Sequence, residues 1–179
     1  MAYIYVALLR GINVGGNTKV EMKKLKALFE RMKFTNVTTY INSGNVIFST
    51  DLPQETLASH IEASIEKDFG FPVRVVVRDA KQISNIVAKV PESWINNAEQ
   101  KTDVIFLWKE VDSPHVLKEI LTNPEVDTLS YIDSAVIWHI DRAHYTQSAM
   151  HKLIGTHIYK QMTARNINTV RKLNKLMNE

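Results

Sequence analysis

A glycine-rich segment between an apolar run and a basic amphipathic stretch carries residue types that bind anions. It spans residues 10–19 and comes close to the phosphate-binding loop G-x-x-x-x-G-K-[ST], but Asn17 stands where that motif requires lysine. A nucleoside triphosphatase is therefore not predicted. Backbone N–H groups of a glycine loop before a helix still favour an anion, and Arg10 and Lys19 add positive charge. The alternative is a purely structural role, in a tight turn and close packing, for Gly11, Gly15 and Gly16.

Two other polar segments are candidates for contacts with the same ligand. One is the turn at residues 42–45, and the other is the segment 163–169, where Thr163 is predicted to cap the last helix. Arg165 and Asn166 are suited either to hydrogen-bond a ligand or to lock against the glycine loop. The complete predicted ligand-binding set is Arg10, Gly11, Asn13, Gly15, Gly16, Lys19, Ser43, Gly44, Asn45, Thr163, Arg165 and Asn166. No catalytic residue is identified, so the sequence leaves open whether the protein is an enzyme.

Four histidines occur close together near the carboxyl end, at positions His139, His144, His151 and His157. No H-x-x-x-H or H-E-x-x-H spacing occurs, so we predict neither a metal site nor a cofactor and expect surface or partly buried imidazoles. Asp141 beside His139 would suit acid–base chemistry, but no nucleophile or third orienting group accompanies this pair. The three tryptophans lie in or near apolar segments, which favours core packing over stacking on nucleobases; they are Trp94, Trp108 and Trp138.

The 179-residue chain contains no cysteine, which excludes disulfides, thiolate nucleophiles and cysteine metal sites. Its first apolar run, residues 2–9, is too short for a membrane span and lacks the features of a signal peptide. We therefore expect a cytoplasmic protein with no membrane partner.

The net charge of +3 is unevenly distributed along the chain. Residues 1–34 contain seven Lys or Arg and two acidic residues, and residues 142–179 contain seven and one, whereas residues 35–141 contain eight and sixteen. If the two basic ends meet, they form a positive surface that attracts phosphate, nucleotide or nucleic acid. Otherwise the lysines simply solvate the outer faces of the terminal helices.

The first half of the chain is predicted to fold as β-α-β-β-α-β, the order of ferredoxin-like folds. A buried strand at residues 3–9 precedes the glycine-rich segment, and a capping box formed by Thr18 and Glu21 predicts a helix from about residue 19. Strands at residues 36–41 and 45–49 form a hairpin, a helix runs from Pro53 to Gly70, and a strand follows at residues 72–78. A right-handed crossover then places the glycine-rich segment beside the hairpin turn.

The second half is predicted to be a related β-α-β-β-α-α arrangement within an α+β protein of two similar subdomains. Asp79 and Gln82 cap a helix that runs to about Lys89, and residues 91–100 form a polar connector. Strands at residues 103–108, 126–132 and 135–141 and helices after Ser113 and at residues 146–154 and 164–177 complete the chain. The predicted boundaries are 1–78 for the first subdomain, 79–101 for the helix and connector, and 102–179 for the second subdomain.

Three segments together resemble the bacterial family of domains of unknown function called DUF1697. They are L-L-R-G-I-N-V-G-G at residues 8–16, T-Y-I-N-S-G-N-V-I-F at residues 39–48 and T-A-R-N-I-N-T-V at residues 163–170. Ile167 replaces an expected aromatic residue, and Asn42 replaces an expected glutamine. The resemblance implies a bacterial α+β protein of two similar subdomains, and it implies no activity.

Three functional hypotheses follow. The first is a protein that binds a phosphate-bearing small molecule, a nucleotide or a sugar phosphate, at the glycine-rich loop. The second is a nucleic-acid-binding module, motivated by the basic ends and a pI of about 9.0. The third is a structural or protein-interaction role in which the motifs lock the subdomains or a dimer. The oligomeric state, monomer or homodimer, is not fixed by the sequence.

Overall fold

The computed structural model describes residues 1–16 and 18–179, so Asn17 lies outside the described residues. The chain forms two compact units, the first made of residues 1–83 and 173–179 and the second of residues 84–172. The subdomain boundaries predicted at residues 78 and 101 stay predictions. Among the described residues, no helix has both the length and the apolar character that crossing a bilayer requires.

The first unit has the predicted ferredoxin-like order. Its elements are β1 (Tyr3–Leu9), α1 (Met22–Arg31), β2 (Thr35–Tyr40), β3 (Asn45–Thr50), α2 (Gln54–Phe69) and β4 (Val75–Asp79), followed by the start of α3 (Ala80–Lys89). The strands form one sheet in the order β2-β3-β1-β4, with every neighbouring pair antiparallel. Because β3 lies between β1 and β2, those two strands run in the same direction, and the segments that follow them emerge at one end of the sheet.

One face of this sheet packs on α1 and α2. Tyr5, Ala7 and Leu9 of β1 belong to this core. Its centre is aromatic, because Phe48 of β3 lies 4.6 Å from Phe34 and 5.4 Å from the α1 residue Phe29 between ring centroids. Burial of these rings fixes α1 against the sheet.

The predicted start of α1 is wrong. Thr18 has a φ of 56°, in the left-handed region, whereas an N-cap residue requires extended backbone. Its carbonyl accepts a hydrogen bond from the Asn13 N–H at 3.1 Å, which keeps this part of the chain in the loop. The helix begins at Met22, and the N-cap residue Glu21 makes no side-chain capping bond.

The second unit repeats the sheet of the first. Its elements are β5 (Gln100–Leu107), α4 (Val116–Glu119), β6 (Thr128–Ile132), β7 (Ala135–Asp141), three 3-10 segments (Arg142–Gln147, Met150–Gly155, Ile158–Gln161), β8 (Met162–Asn166) and the start of α5 (Ile167–Met177). The strand order β6-β7-β5-β8 corresponds to β2-β3-β1-β4, again with antiparallel neighbours. The two-subdomain α+β fold predicted from the sequence is therefore confirmed.

Two details of the second half differ from the prediction. The segment expected to be a helix at residues 146–154 consists of 3-10 turns, and Thr163 lies in a strand, paired with Phe106 of β5, where it caps no helix. The last helix begins at Ile167. Its cap is Asn166, whose side-chain oxygen accepts a hydrogen bond from the Thr169 N–H at 3.0 Å.

The strand-to-helix junction is the clearest repeat between the two units. After β4, Asp79 accepts the Gln82 N–H at 2.7 Å and Gln82 accepts the Asp79 N–H at 3.0 Å, which confirms the predicted capping box. Asn166 holds the corresponding position after β8. In each unit the preceding arginine is buried and its Nη1 donates to the carbonyl one residue earlier, at 3.0 Å for Arg78 and 2.9 Å for Arg165. Burial lowers the pKa of Arg165 to about 10.

A buried carboxylate that the sequence did not identify organises the second unit. Asp127 accepts hydrogen bonds from Trp138 Nε1 at 2.9 Å, Ser148 Oγ at 2.6 Å, and the N–H groups of Asn123 and Ala149 at 2.9 and 3.1 Å. Burial by itself raises the pKa of Asp127, but these hydrogen bonds outweigh it and hold the pKa below its usual value. The charged carboxylate therefore joins β7 to the 3-10 region.

We expect Asp127→Asn to lower the free energy of unfolding by about 1–3 kcal/mol at neutral pH, because an amide cannot accept all of these bonds. The stabilisation comes from the charged form of Asp127, whose pKa is lowered in the folded protein. This stabilisation is therefore fully present above the unfolded-state pKa of about 4 and is lost as the pH falls below that value. Denaturant unfolding at pH 7 and pH 3 measures both effects. Asp51→Asn, at an exposed position, is the control. An equal loss for both variants at pH 7 would contradict this assignment.

Candidate functional site

Asn13 holds the glycine-rich loop to the sheet through its side chain. Its Nδ2 donates to the carbonyls of Val20 at 3.0 Å and Asn42 at 2.8 Å, and its Oδ1 accepts the Val20 N–H at 2.9 Å. The side-chain amide thus pairs with both backbone groups of Val20, as a neighbouring strand would. We call this set of three bonds the Asn13 clasp. It ties both ends of the loop to the β2–β3 turn and occupies the Asn13 amide within the protein.

The predicted proximity of the glycine-rich loop and the β2–β3 turn is confirmed. Besides the Asn13 clasp, the Leu9 N–H donates to the Gly44 carbonyl at 2.9 Å. Gly44 has a φ of 86°, and a Cβ added there would lie 2.8 Å from both Ile12 Cδ1 and Leu9 Cβ. Only glycine suits this backbone conformation and this close contact.

The other glycines of the loop meet a different requirement. Gly11, Gly15 and Gly16 have φ values of 69°, 63° and 79°, and a Cβ at any of them would meet no atom within 4 Å. These three glycines allow the left-handed backbone of the loop, and they lie at an exposed surface. The space beside them is open to a ligand.

Ser43 and Asn45 form the interior of the β2–β3 turn. Asn45 is fully buried, and its Nδ2 donates to the Tyr40 carbonyl at 2.9 Å and to Ser43 Oγ at 3.0 Å. The geometry makes Asn45 a support for the turn. Its direct contact with a ligand stays untested.

An open cleft of about 560 Å³ lies where the loop meets the amino end of α1. We call it the α1 cleft. Its lining residues are Asn13, Gly16, Lys19, Val20, Glu21, Met22, Lys23 and Asn42. It contains two of the predicted loop residues besides Asn13, namely Gly16 and Lys19. Lys23, in the first turn of α1, was predicted only as part of a solvated helix face, because the sequence placed the start of the helix at about residue 19.

The charges in the α1 cleft favour an anion. Glu21 is the only carboxylate among its described lining residues, and it forms an ion pair with Lys24 at 2.9 Å. Within the described part of the chain, Lys19 and Lys23 have no acidic partner within 4.0 Å. The N–H groups of Met22 and Lys23 also have no acceptor among the described residues, since the first helical bond runs from the Leu25 N–H to the Glu21 carbonyl at 3.0 Å.

Arg10 and the carboxyl-terminal candidates are not among the described residues that line the α1 cleft. The Arg10 N–H donates to the Arg74 carbonyl at 2.9 Å. Thr163, Arg165 and Asn166 belong to the second unit. Arg165 is buried there, and its Nη1 also donates to Thr163 Oγ1 at 3.1 Å. These contacts support a structural role within β8 and its junction with α5.

The second unit has its own connection between loop and hairpin. The Leu107 N–H donates to the Ser134 carbonyl at 3.0 Å, as the Leu9 N–H does to the carbonyl of Gly44. Asp112, in the loop after β5, accepts the hydroxyls of Tyr131 and Ser134 of the β6–β7 hairpin, each at 2.6 Å. The same structural task is performed here by a carboxylate and two hydroxyls.

The histidine cluster does not form a metal site within the described part of the chain, where no three or more His, Asp or Glu side chains are placed to hold an ion. His139 stacks on Trp94 with ring centroids 4.3 Å apart, and its Nδ1 lies 2.8 Å from Thr102 Oγ1. Burial lowers the pKa of His139, although Asp141 opposes the shift. The other three cluster histidines are exposed, as expected. Core packing is confirmed for two of the tryptophans. Trp108 is 8% exposed and Trp138 is 6% exposed.

Comparison with known proteins identifies a family and a related fold. Residues 3–138 match the family described as "Protein of unknown function (DUF1697)". The fold is similar to that of the conserved bacterial protein SP0830 from Streptococcus pneumoniae, with a TM-score of 0.86, 24% sequence identity and coverage of 99% of both chains. No curated protein matches the sequence.

We expect Gly44→Ala to lower the free energy of unfolding by about 2–5 kcal/mol, because it adds left-handed strain of about 1–2 kcal/mol to overpacking of about 1–3 kcal/mol. Gly15→Ala is a matched control, since it has a similar φ of 63° and no neighbouring atom within 4 Å. Denaturant unfolding of the two variants separates strain from packing. Equal losses would show that the contact of Gly44 with Ile12 and Leu9 contributes nothing.

Proposed function

This chain belongs to the DUF1697 family, whose description names no activity. From the chain's own residues, we propose that it binds a phosphate-bearing small molecule in the α1 cleft. A nucleotide or a sugar phosphate is the intended ligand class. The predicted cytoplasmic location is compatible with such a ligand.

The observation that carries the proposal is the arrangement at the start of α1. Two N–H groups of the first helical turn and the two lysine side chains without acidic partners border one cleft of about 560 Å³. Helix N-termini carry a positive partial charge and donors that match phosphate oxygens. Two ammonium groups add full charges to the same volume. Together they provide the charge and the hydrogen bonds that a phosphate group requires.

The family motifs have a supporting role in this proposal. Asn13, Gly44 and Asn45 contact other residues of the same chain and hold the loop in one conformation. These contacts favour a structural role for Asn13, Gly44 and Asn45. Such a role is compatible with ligand binding by other residues of the cleft. A loop fixed in advance reduces the ordering cost that a ligand would otherwise have to offset.

Met22, which is partly buried, adds apolar surface to the cleft beside the cationic groups. A phosphate ester with an organic part therefore fits its lining better than inorganic phosphate does. Glu21, the one carboxylate among the described lining residues, forms an exposed ion pair with Lys24, and the proposal concerns binding and names no reaction.

Replacing both Lys19 and Lys23 by alanine should weaken binding of phosphorylated compounds at least tenfold, because a hydrogen bond to a charged group contributes about 1.5–3 kcal/mol. Isothermal titration calorimetry with inorganic phosphate, ribose 5-phosphate and a purine mononucleotide measures the effect. The matched control is Lys26→Ala with Lys67→Ala, which removes the same charge at exposed helical positions outside the α1 cleft. Equal affinities of the two double variants would exclude this cleft as the site.

The dependence of affinity on salt separates this proposal from the nucleic-acid alternative. A single phosphate group releases few counterions, so the logarithm of its affinity should change little between 50 and 200 mM salt. A nucleic acid that contacts six to ten phosphates would lose about 10³–10⁵ in affinity over that range. Titration of short single-stranded DNA and RNA under the same conditions is the comparison. Tight, steeply salt-dependent binding of these chains with no small-molecule binding would favour the alternative.

A further inference from the structure

A second cleft continues from the α1 cleft along the same helix. It has a volume of about 500 Å³ and lies between α1 and the carboxyl end of α2, and we call it the α1–α2 cleft. Lys19 and Glu21 line both clefts. Its other lining residues are Lys24, Ala27, Arg31, Asp68 and Phe69. The two clefts therefore meet at these shared side chains.

The chemistry of the α1–α2 cleft differs from that of its neighbour. Four of its five charged side chains form pairs, Lys24 with Glu21 and Arg31 with Asp68, and these pairs are partly to largely exposed to solvent. Phe69 and Ala27 contribute apolar surface. The cleft thus combines an aromatic side chain with hydrogen-bond donors and carboxylate acceptors, whereas the α1 cleft has no aromatic residue among its described lining residues.

The spacing of the clefts is set by the helix. In α1, Lys23 of the α1 cleft lies one turn before Ala27 and two turns before Arg31 of the α1–α2 cleft, which corresponds to about 6–12 Å along the axis. A ligand that spans both clefts needs a phosphate at one end and a neutral, partly apolar group at the other, separated by roughly this distance. In a mononucleotide, one ribose separates the phosphate from the base.

We propose that the α1–α2 cleft binds the heterocyclic base of a nucleotide whose phosphate occupies the α1 cleft. This inference rests on the proposed function and selects a nucleotide over a sugar phosphate. The faces of a base stack on an aromatic ring, a role for Phe69. Its edge carries N–H donors and carbonyl or ring-nitrogen acceptors, which suit the Asp68 carboxylate and the Arg31 guanidinium. A sugar phosphate would leave the aromatic surface of this cleft unused.

The test compares ligands that differ only in the base. Purine mononucleotide should bind the wild-type protein at least tenfold more tightly than ribose 5-phosphate, as measured by calorimetry. Phe69→Leu should weaken mononucleotide binding at least fivefold and leave ribose 5-phosphate affinity unchanged, since base–aromatic stacking contributes about 1–3 kcal/mol. Phe71→Leu is the matched control, because this ring lies 6.3 Å from Phe69 between centroids and is not among the described residues that line the cleft.

A second variant avoids removing a side chain that also packs against the core. Ala27→Leu adds bulk in the α1–α2 cleft, and it should weaken the mononucleotide while ribose 5-phosphate binds as before. If the wild-type protein binds both compounds equally and the Lys19 and Lys23 double variant weakens both, the phosphate site stands and the base site is wrong. If neither compound binds, or if the lysine substitutions have no effect, the proposed function itself is wrong.

Discussion

The Asn13 clasp is the interaction on which the rest of the candidate site depends. One side-chain amide satisfies both backbone groups of Val20 and reaches across to the Asn42 carbonyl. These bonds hold a loop that has several residues with positive φ and little apolar surface of its own. Gly44 completes the arrangement by allowing the β2–β3 turn to approach Ile12 and Leu9. The loop is thereby held in a conformation that delays the start of α1 until Met22 and leaves the first turn of that helix facing a cleft.

This arrangement separates support from ligand contact. Asn13, Gly44 and Asn45 of the family motifs are engaged with the protein itself, whereas the lysines proposed to contact the ligand lie at the end of the loop and in the first turn of α1. The α1 cleft provides positive charge and unbonded N–H groups, and the α1–α2 cleft provides an aromatic surface and paired charges. Recognition of a two-part ligand requires both environments on one rigid element, and α1 is held by the aromatic core beneath it.

Local signals in the sequence predicted much of the fold. Apolar and β-branched runs identify the strands, Gly70 ends α2 in a left-handed conformation, and Asp79 with Gln82 forms the capping box. The errors arise where a local signal competes with a distant contact. Thr18 has the spacing of a cap, but its backbone is left-handed because the loop is fastened at Asn13. Thr163 has the composition of a cap as well, yet it pairs with β5, a strand more than fifty residues earlier.

The candidate site was predictable to a smaller extent than the fold. The crossover rule brings the loop and the β2–β3 turn together, and this proximity needs no side-chain detail. Side-chain detail is needed to tell which loop residues support the fold and which could contact a ligand. An exposed asparagine can hydrogen-bond a ligand or the backbone of a distant residue equally well. The Asn13 amide finds its second partner 29 positions away along the chain. Asp127 shows the same difficulty in the second unit, since its four donors come from three separated parts of the chain.

The connection made by Asp112 in the second unit shows that fastening the loop does not depend on one kind of side chain. Both units fasten the loop after their first strand to the following hairpin, but with unrelated chemistry: an amide on backbone groups in one and a carboxylate on two hydroxyls in the other. The loop that contains Asp112 has no glycine and carries the acidic Glu110 as well. The second unit therefore repeats the fastening of the first without a glycine-rich loop, the segment on which the proposed anion-binding surface of the first unit depends.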